Sequence, residues 1–402
     1  MSSQLNTAII GAGPYGLSLA AHLRAANVDF RIFGNPMLAW QTHMPPNMFL
    51  KSDVYSSDLS DPKGLFTIKR FYEERGLHFG TDRPIPLDTF IEYGRQFQSR
   101  CVPNVENQEV VSVEPDGNGY IVTLASQEKV RAKRVVVAVG VYPFRFIPQT
   151  FASLPLELCT HSGDYGPVDG LRGKKVAVIG SGASAIDTAI SIHEAGADVT
   201  VISRRASINF QGPPPTKRPS LVRRLRSPDS GIGAGWKTRF YADAPGVVHS
   251  FPAALRARIL RTTLGPAPGW FTKDKIVGHV PVLSGRTTQS AVATKDGVKL
   301  VLEGANKTTR TFEADHIVAA TGYKTDVEKL PLLSESIRRR IRTYDGTPVL
   351  SRAFESSSPD VYFIGPATAM SFGPVMRFVF GCTYTIDVLA KHLCGTAAQR
   401  VS

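Results

Sequence analysis

Two copies of one βαβ pattern, each closing on a glycine turn, predict an α/β chain built on two Rossmann-like units. The first runs through Thr7-Ala8-Ile9-Ile10, the turn Gly11-Ala12-Gly13-Pro14-Tyr15-Gly16, a helix from Leu17 to Ala26, and Phe30-Arg31-Ile32-Phe33. The second runs through Val176-Ala177-Val178-Ile179, the turn Gly180-Ser181-Gly182-Ala183-Ser184-Ala185, a helix to Ala195, and Val199-Thr200-Val201-Ile202. A short apolar run that meets a glycine turn and then a helical stretch reads as a buried parallel strand with its crossover. In each turn the first glycine permits the tight bend, and the second lets the backbone approach a pyrophosphate. The third position, Gly16 or Ala185, lets the helix pack closely on the strand. The helix N-terminus then offers free N–H groups and a positive partial charge to phosphates.

The remaining elements follow in order. Between Val110 and Val130 the alternation of Val111, Val113, Tyr120, Val122 and Leu124 around Asp116-Gly117-Asn118-Gly119 predicts a β-meander. Arg134–Val139 predicts a buried strand ending at Gly140, and His316–Ala320 one ending at Thr321-Gly322-Tyr323. Pro359–Ile364 predicts another, ending at Gly365, and a last helix is expected to open at Pro374 after Phe372-Gly373. The 402 residues suffice for two to three domains, and 42% apolar with 20% charged residues excludes a largely disordered chain. The four cysteines, Cys101, Cys159, Cys382 and Cys394, contain no close pair, which excludes a CxxC centre, a zinc ribbon and a disulfide-stapled scaffold. No signal peptide is read at the N-terminus, and the apolar C-terminal stretch is broken by Arg377 and Asp387. A cytoplasmic protein without a transmembrane segment is expected.

This order resembles the flavoproteins with two dinucleotide-binding domains, in which an NADPH domain is inserted into an FAD domain. The resemblance implies an FAD-binding domain at 1–168 and 316–402. It implies an NADPH-binding domain at 169–315, carrying a basic, proline-rich insert at about 206–275. Cofactor contacts are expected at Gly11, Gly13, Pro14, Tyr15, Gly16, Asn35, Trp40, Val110 and Gly140. Others are expected at Gly180, Gly182, Ala183, Ser184, Ser203, Arg204, Arg205, Gly322, Gly365, Phe372 and Gly373. Ser203 followed by Arg204 and Arg205 stands where a 2′-phosphate is read, which favours NADPH over NADH. Gly34 stands where a carboxylate usually holds the FAD ribose, so either Asn35 or a backbone group takes that part, or FAD binds more loosely than usual. Gly365-Pro366 replaces the family's Gly-Asp and leaves the Ala367 amide for the flavin nucleotide. A helix opening at Pro374 would favour the negative charge of reduced flavin.

A narrower resemblance concerns chemistry. Met48-Phe49-Leu50-Lys51-Ser52, Asp61-Pro62 and Phe66–Tyr72 are similar to a segment of the lysine and ornithine N-hydroxylases, as is Pro86–Tyr93. It implies an active-site role for Lys51, and Ala320-Thr321-Gly322-Tyr323 adds Tyr323 as a candidate. His161, followed by Ser162, Asp164 and Tyr165, stands in the interdomain position of the flavin-containing monooxygenases. It either orients NADPH or is a linker residue. Phe33-Gly34-Asn35-Pro36-Met37 and Ser371–Phe378 look closest to a bacterial branch of urate hydroxylase type. The expected activity is an FAD monooxygenase that uses NADPH and O2 and oxygenates a small polar substrate through a flavin hydroperoxide. N-hydroxylation of an amine and hydroxylation of a urate-like ring both remain open. So do a reductase that passes electrons to another acceptor and a regulatory protein that only binds nucleotide.

Lys and Arg outnumber Asp and Glu by 47 to 34, a net +13. Residues 204–261 alone hold 12 Lys and Arg against Asp229 and Asp243. A lid over the substrate channel that favours an anionic substrate, with Arg223, Arg224 and Arg239 as candidates, leads this reading. A membrane-surface patch and a solvated basic surface with no partner both remain open, and no nucleic-acid partner is expected. The sequence carries no signal for oligomeric state, and a homo-oligomer stays open.

Overall fold

The computed structural model describes residues 4–164, 168–213, 220–263 and 265–398; Tyr165 lies outside them. The first βαβ unit consists of β1 (Leu5–Ile10), α1 (Pro14–Ala25) and β2 (Phe30–Phe33). After α2 (Leu87–Cys101) come β3 (Val105–Glu106), β4 (Val110–Asp116), β5 (Gly119–Leu124) and β6 (Lys129–Val137). Strand order in this sheet is β3-β2-β1-β6-β5-β4. β6 is long enough to serve two partners on one flank. Its first residues pair antiparallel with β5, and Val135–Val137 pair parallel with Val361–Phe363 near the far end of the chain. The meander expected around Asp116–Gly119 is the β4-β5-β6 part of this sheet.

The second sheet is parallel throughout. It contains β7 (Cys159–His161), β8 (Lys175–Ile179), β9 (Asp198–Ile202), β10 (Val282–Leu283) and, after an antiparallel meander, β14 (His316–Ala319). Its order is β10-β9-β8-β14-β7, and α3 (Ala183–Glu194) crosses from β8 to β9. The 169–315 boundary would leave β7 and β14 with the first domain. Ladder pairing puts them in the second sheet: Ile317 faces Cys159 on one side and Ala177 on the other. The meander of β11 (Thr287–Thr294), β12 (Gly297–Glu303) and β13 (Thr309–Ala314) lays Ala291, Val298, Leu300 and Leu302 against Ala177, Ile202 and Ile317.

Three short helices of the basic insert, α5 (Trp236–Asp243), α6 (Pro245–His249) and α7 (Ala253–Thr262), follow α4 (Leu221–Arg226). Although numbered with the second domain, α5–α7 pack on the C-terminal part of the first. Val248 closes on Gly373, Gly246 on the Tyr384 hydroxyl, and Gly231 on the Phe380 ring.

The C-terminal helix also departs from expectation. Pro374–Arg377 is a single 3-10 turn, Phe378 is extended, and the long helix α8 spans Gly381–Ala398. The Tyr15 hydroxyl donates to the Phe378 carbonyl (2.8 Å) and holds the chain in this break. Four residues cannot sum peptide dipoles as a full helix does, so no helix N-terminus stands at Pro374.

Glycine is required where strand and helix meet. A Cβ on Gly16 would lie 1.9 Å from the Gly11 carbonyl oxygen, whereas one on Gly13 would meet nothing within 4 Å. Gly16→Ala is therefore expected to lower the melting temperature by several degrees or abolish folding. Gly13→Ala should keep the melting temperature of the flavin-free protein and lose flavin, read from the absorbance ratio of the purified variant.

Candidate functional site

Both glycine turns form open cradles. Gly11 and Gly180 adopt φ of +114° and +142°, and a Cβ on either would strike the carbonyl of the neighbouring strand end, Ala138 or Ala320, at 2.4 Å. Such left-handed backbone is the glycine region. Neither helix behind a cradle has a side-chain cap: Gly13 and Gly182 are extended N-caps with no capping hydrogen bond. A Cβ on Gly13, Gly140, Gly182 or Gly322 would meet no atom within 4 Å. Bare N–H groups facing open space fit the diphosphates of two dinucleotides. In the first cradle Pro14 is the first helical residue, and the Tyr15 side chain turns inward to Phe378, which leaves its backbone to the turn.

The other expected cofactor contacts divide. Gly34, at φ +124°, would place a Cβ 3.3 Å from the Ala12 amide nitrogen, so this loop excludes the usual carboxylate on backbone grounds. Asn35 follows on the same loop, its carbonyl accepting from the Leu38 amide (3.2 Å), and Trp40 leans edge-on against Phe90 (4.7 Å). Val110 is buried at the head of β4. Gly365, at φ +80°, lies over the Tyr15 ring. The Phe372 ring is buried and stacked on Phe354 (4.0 Å), so it packs the core beside Gly373. In the second unit Ala183 opens α3. Ser203 is buried, and its hydroxyl accepts from the Arg205 amide (3.1 Å), closing its own turn. A phosphate there is left to the exposed Arg204 and Arg205.

The three candidate catalytic residues fall into two groups. His161 is buried with both ring nitrogens engaged: Nδ1 accepts from the Gly163 amide (3.0 Å) and Nε2 donates to the Gly322 carbonyl (3.0 Å). This fixes a neutral tautomer, and burial pushes its pKa below the ordinary value. Tyr323 stacks edge-on against it (5.1 Å), and its hydroxyl has no partner among the described residues. Around this pair Asp164 accepts from the Tyr142 hydroxyl (3.0 Å) and pairs with Arg145 (3.2 Å). Tyr142 stacks on His43, whose Nδ1 donates to the Gly163 carbonyl (3.0 Å).

Lys51 lies elsewhere, in a contact that the sequence does not announce. Its ammonium donates to both oxygens of Asp187 (2.9 and 2.8 Å) and to the Phe49 carbonyl (2.8 Å), 5.0 Å from the Phe271 ring centre. Only 5% of the Lys51 side chain and 6% of Asp187 are exposed. Burial lowers the Lys51 pKa and raises that of Asp187, each opposed by the partner's charge. Asp187 sits on α3 three residues after Ser184, whose hydroxyl bonds to that of Ser162 (2.9 Å). Residues three apart share a helix face, so the His161 hinge and the Lys51 clamp grip one side of α3. A lone carboxylate among Ala185, Ile186, Thr188 and Ala189 is the sequence signal that some cation must face this helix.

Beside the clamp lies a cleft of about 560 Å³, lined by Met48, Phe49, Tyr72, Asp187, Ser191, Glu194, Trp270 and Phe271 among others. Arg223 and Arg239 do not line it; Arg239 pairs with Asp243, and the side chain of Arg224 lies outside the described residues. The expected arginine-lined lid is thus not found at this cleft.

Two bare-ended nucleotide cradles joined by a polar hinge are the plan of the class B flavoprotein monooxygenases, and the chain has their fold. It belongs to the pyridine nucleotide-disulphide oxidoreductase family, whose pattern matches residues 8–230. Among solved structures it is similar to the ornithine N-hydroxylase of Kutzneria sp. 744 (TM-score 0.77, 17% identity, all of both chains). It is also similar to the L-lysine 6-monooxygenase of Pseudomonas syringae (TM-score 0.73, 18% identity, 97% of this chain and 99% of that one). Among curated proteins it is 28% identical over 217 residues to the FAD-dependent urate hydroxylase of Xanthomonas campestris pv. campestris, covering 50% of this chain and 45% of that protein. It is 27% identical over 202 residues to the ferredoxin–NADP reductase of Ignicoccus hospitalis, covering 49% and 55%. The chain thus spans about half the length of the curated relatives it matches. Cys101, Cys159, Cys382 and Cys394 form no disulphide.

Two outcomes follow. Lys51→Met leaves a buried carboxylate without its cation and should cost about 3–5 kcal/mol in denaturant unfolding, while Lys51→Met with Asp187→Leu should recover most of it. Burial also holds His22, His43, His161, His249 and His316 below the ordinary 6.5. As pH falls below that value the unfolded chain binds protons first, so stability is full above it and declines toward the lowered folded values. The melting temperature should fall progressively from pH 6.5 to 5, and His161→Gln should flatten part of that fall.

Proposed function

We propose that this chain is an NADPH-dependent FAD monooxygenase that places one oxygen atom of O2 in a small polar substrate. The observation that carries the reading is the pair of open cradles locked together by Lys51–Asp187 beside an aromatic-walled cleft, in a chain with no cysteine pair. The residues of the Gly11–Gly16 turn, with Gly140 and Gly365, would hold FAD; those of the Gly180–Ala185 turn, with Arg204 and Arg205, would hold NADPH. When bound, the flavin supplies the electron transfer and the oxygen chemistry.

The chain itself supplies position and exclusion of water. Lys51 acts here through α3: its three protons already have acceptors, so it orients the nicotinamide domain and does not grip substrate. His161 likewise orients the hinge. Tyr323, with its hydroxyl free, is the residue left to donate a hydrogen bond to a reactant. The acids of the cleft have partners, Asp187 with Lys51, Glu194 with Lys275 (2.7 Å) and Asp82 with His78 (2.8 Å), and Arg83 also lines it. Tyr72, Trp270 and Phe271 add ring faces. Such ring faces suit a planar purine-like ring by stacking, or an amine by cation–π contact. The names of the relatives, urate hydroxylase and ornithine N-hydroxylase among them, support both classes.

The test is anaerobic reduction of the flavin-loaded protein by NADPH and by NADH, followed by heavy-isotope O2 with a panel of amines, urate and other purines. Faster reduction by NADPH and one labelled oxygen atom per product molecule are expected. Reduction without label in any product would favour an NAD(P)H:acceptor reductase. Failure of both coenzymes to reduce the flavin would leave a nucleotide-binding regulatory protein.

A further inference from the structure

The outer surface of the basic insert combines two properties that ordinary solvated surface keeps apart. Four large apolar side chains stand far out of the fold: Leu221 is 75% exposed, Val222 65%, Leu225 71% and Trp236 62%. A monomeric surface scatters such residues singly, and a cluster marks an interaction site. These four are grouped by local structure. Leu221, Val222 and Leu225 lie at i, i+1 and i+4 on α4, one side of the helix. The Trp236 indole donates to the Leu225 carbonyl (2.8 Å) and so is fixed beside them.

This apolar group is not the insert's own core turned outward. Tyr241, Val248 and Ile259 already form a buried cluster with Ile232 and Phe251 on the inner side. The charges around the outer group are cationic. Arg223, Arg226 and Lys237 interleave with it, are exposed, and form no ion pair among the described residues. The two acids of the whole stretch 204–261 are Asp229 and Asp243, and Asp243 already faces Arg239.

We propose that this face docks on an anionic lipid bilayer, with Leu221, Val222, Leu225 and Trp236 entering the interface and Arg223, Arg226 and Lys237 meeting the headgroups. Leucine and tryptophan beside arginine and lysine is the composition of an interfacial helix, in which apolar burial and headgroup attraction act together. A second copy of the chain is the poorer occupant, because a two-fold contact through this patch sets like cations face to face. A nucleic-acid backbone would satisfy the cations and leave the four apolar groups in water. No helix among the described residues is long and apolar enough to cross a membrane, so the contact is peripheral.

The flavin-loaded protein is mixed with vesicles of pure phosphatidylcholine and with vesicles containing phosphatidylglycerol, then sedimented at several salt concentrations. Binding to the anionic vesicles should exceed binding to the neutral ones at least tenfold and weaken with salt, with a blue shift of tryptophan emission that Trp236→Phe removes. Two variants of exposed positions, Leu221→Glu with Leu225→Glu and Arg223→Glu with Arg226→Glu, should each lower binding at least tenfold while flavin content and NADPH reduction stay unchanged. Absence of binding to either vesicle overturns the proposal, as does equal binding to both, or binding unchanged in both variants. Retention on duplex DNA or an acidic protein in place of vesicles overturns it too, as does a dimer that the same variants dissolve.

Discussion

One ammonium and one carboxylate, each almost sealed from water, hold the two nucleotide-binding halves in register. Lys51 belongs to the loop beside the first sheet, and Asp187 to the helix that opens the second cradle. Removing two charges from water costs several kcal/mol per ion, so the pair persists only because its geometry is nearly complete. Both carboxylate oxygens and a backbone carbonyl accept from the ammonium, and the Phe271 ring lies near it. Ser184, one turn away on the same helix, is tied to Ser162 and so to the His161 hinge. The second cradle is therefore gripped at its first turn from two directions. Loss of either grip changes how the second cradle faces the first.

This arrangement also reassigns residues. In the N-hydroxylases that the Phe49–Ser52 segment resembles, the matching lysine implies contact with coenzyme and substrate. Here its ammonium donates to Asp187 and to the Phe49 carbonyl, and so ties the segment to α3. His161 is a parallel case, a histidine in an interdomain position whose two nitrogens are closed by Gly163 and Gly322. The Tyr323 hydroxyl, by contrast, has no partner among the described residues.

What the sequence revealed and what it hid have one physical cause. The glycine turns, their strands and their helices were legible because each is settled by neighbours within about ten residues. A left-handed φ at Gly11 and Gly180, and the crowding of Gly16 against Gly11, are local facts. The meander at 287–314 was missed, although Asp296-Gly297 between alternating apolar residues is a hairpin signal. The helix start at Pro374 was misplaced because a hydroxyl more than 350 residues away holds the break. Asp187 was missed for the same reason, since its cation is 136 residues distant. The missing ribose carboxylate was visible as Gly34, but the cause, the approach to Ala12, needed the folded loop.

Net charge proves a poor guide to the site. The insert carries +10 of the chain's +13, and that concentration invites an anionic substrate. Its described arginines 223 and 239 stay outside the cleft, and its helices cover the Gly373 region of the other domain through apolar contacts and hydrogen bonds such as that of His249 with the Leu350 carbonyl (2.9 Å). Ion pairs, aromatic rings and Arg83, which lies outside the insert, line the cleft, while the insert's Arg223, Arg226 and Lys237 stand outward with Leu225 and Trp236. Salt screens an exposed cation beyond about 10 Å, so the insert's surface charges act only on a partner in contact with them, whereas a desolvated charge is screened much less. The excess on the surface acts on whatever partner that surface meets, while the buried Lys51 and Asp187 act on the structure around them.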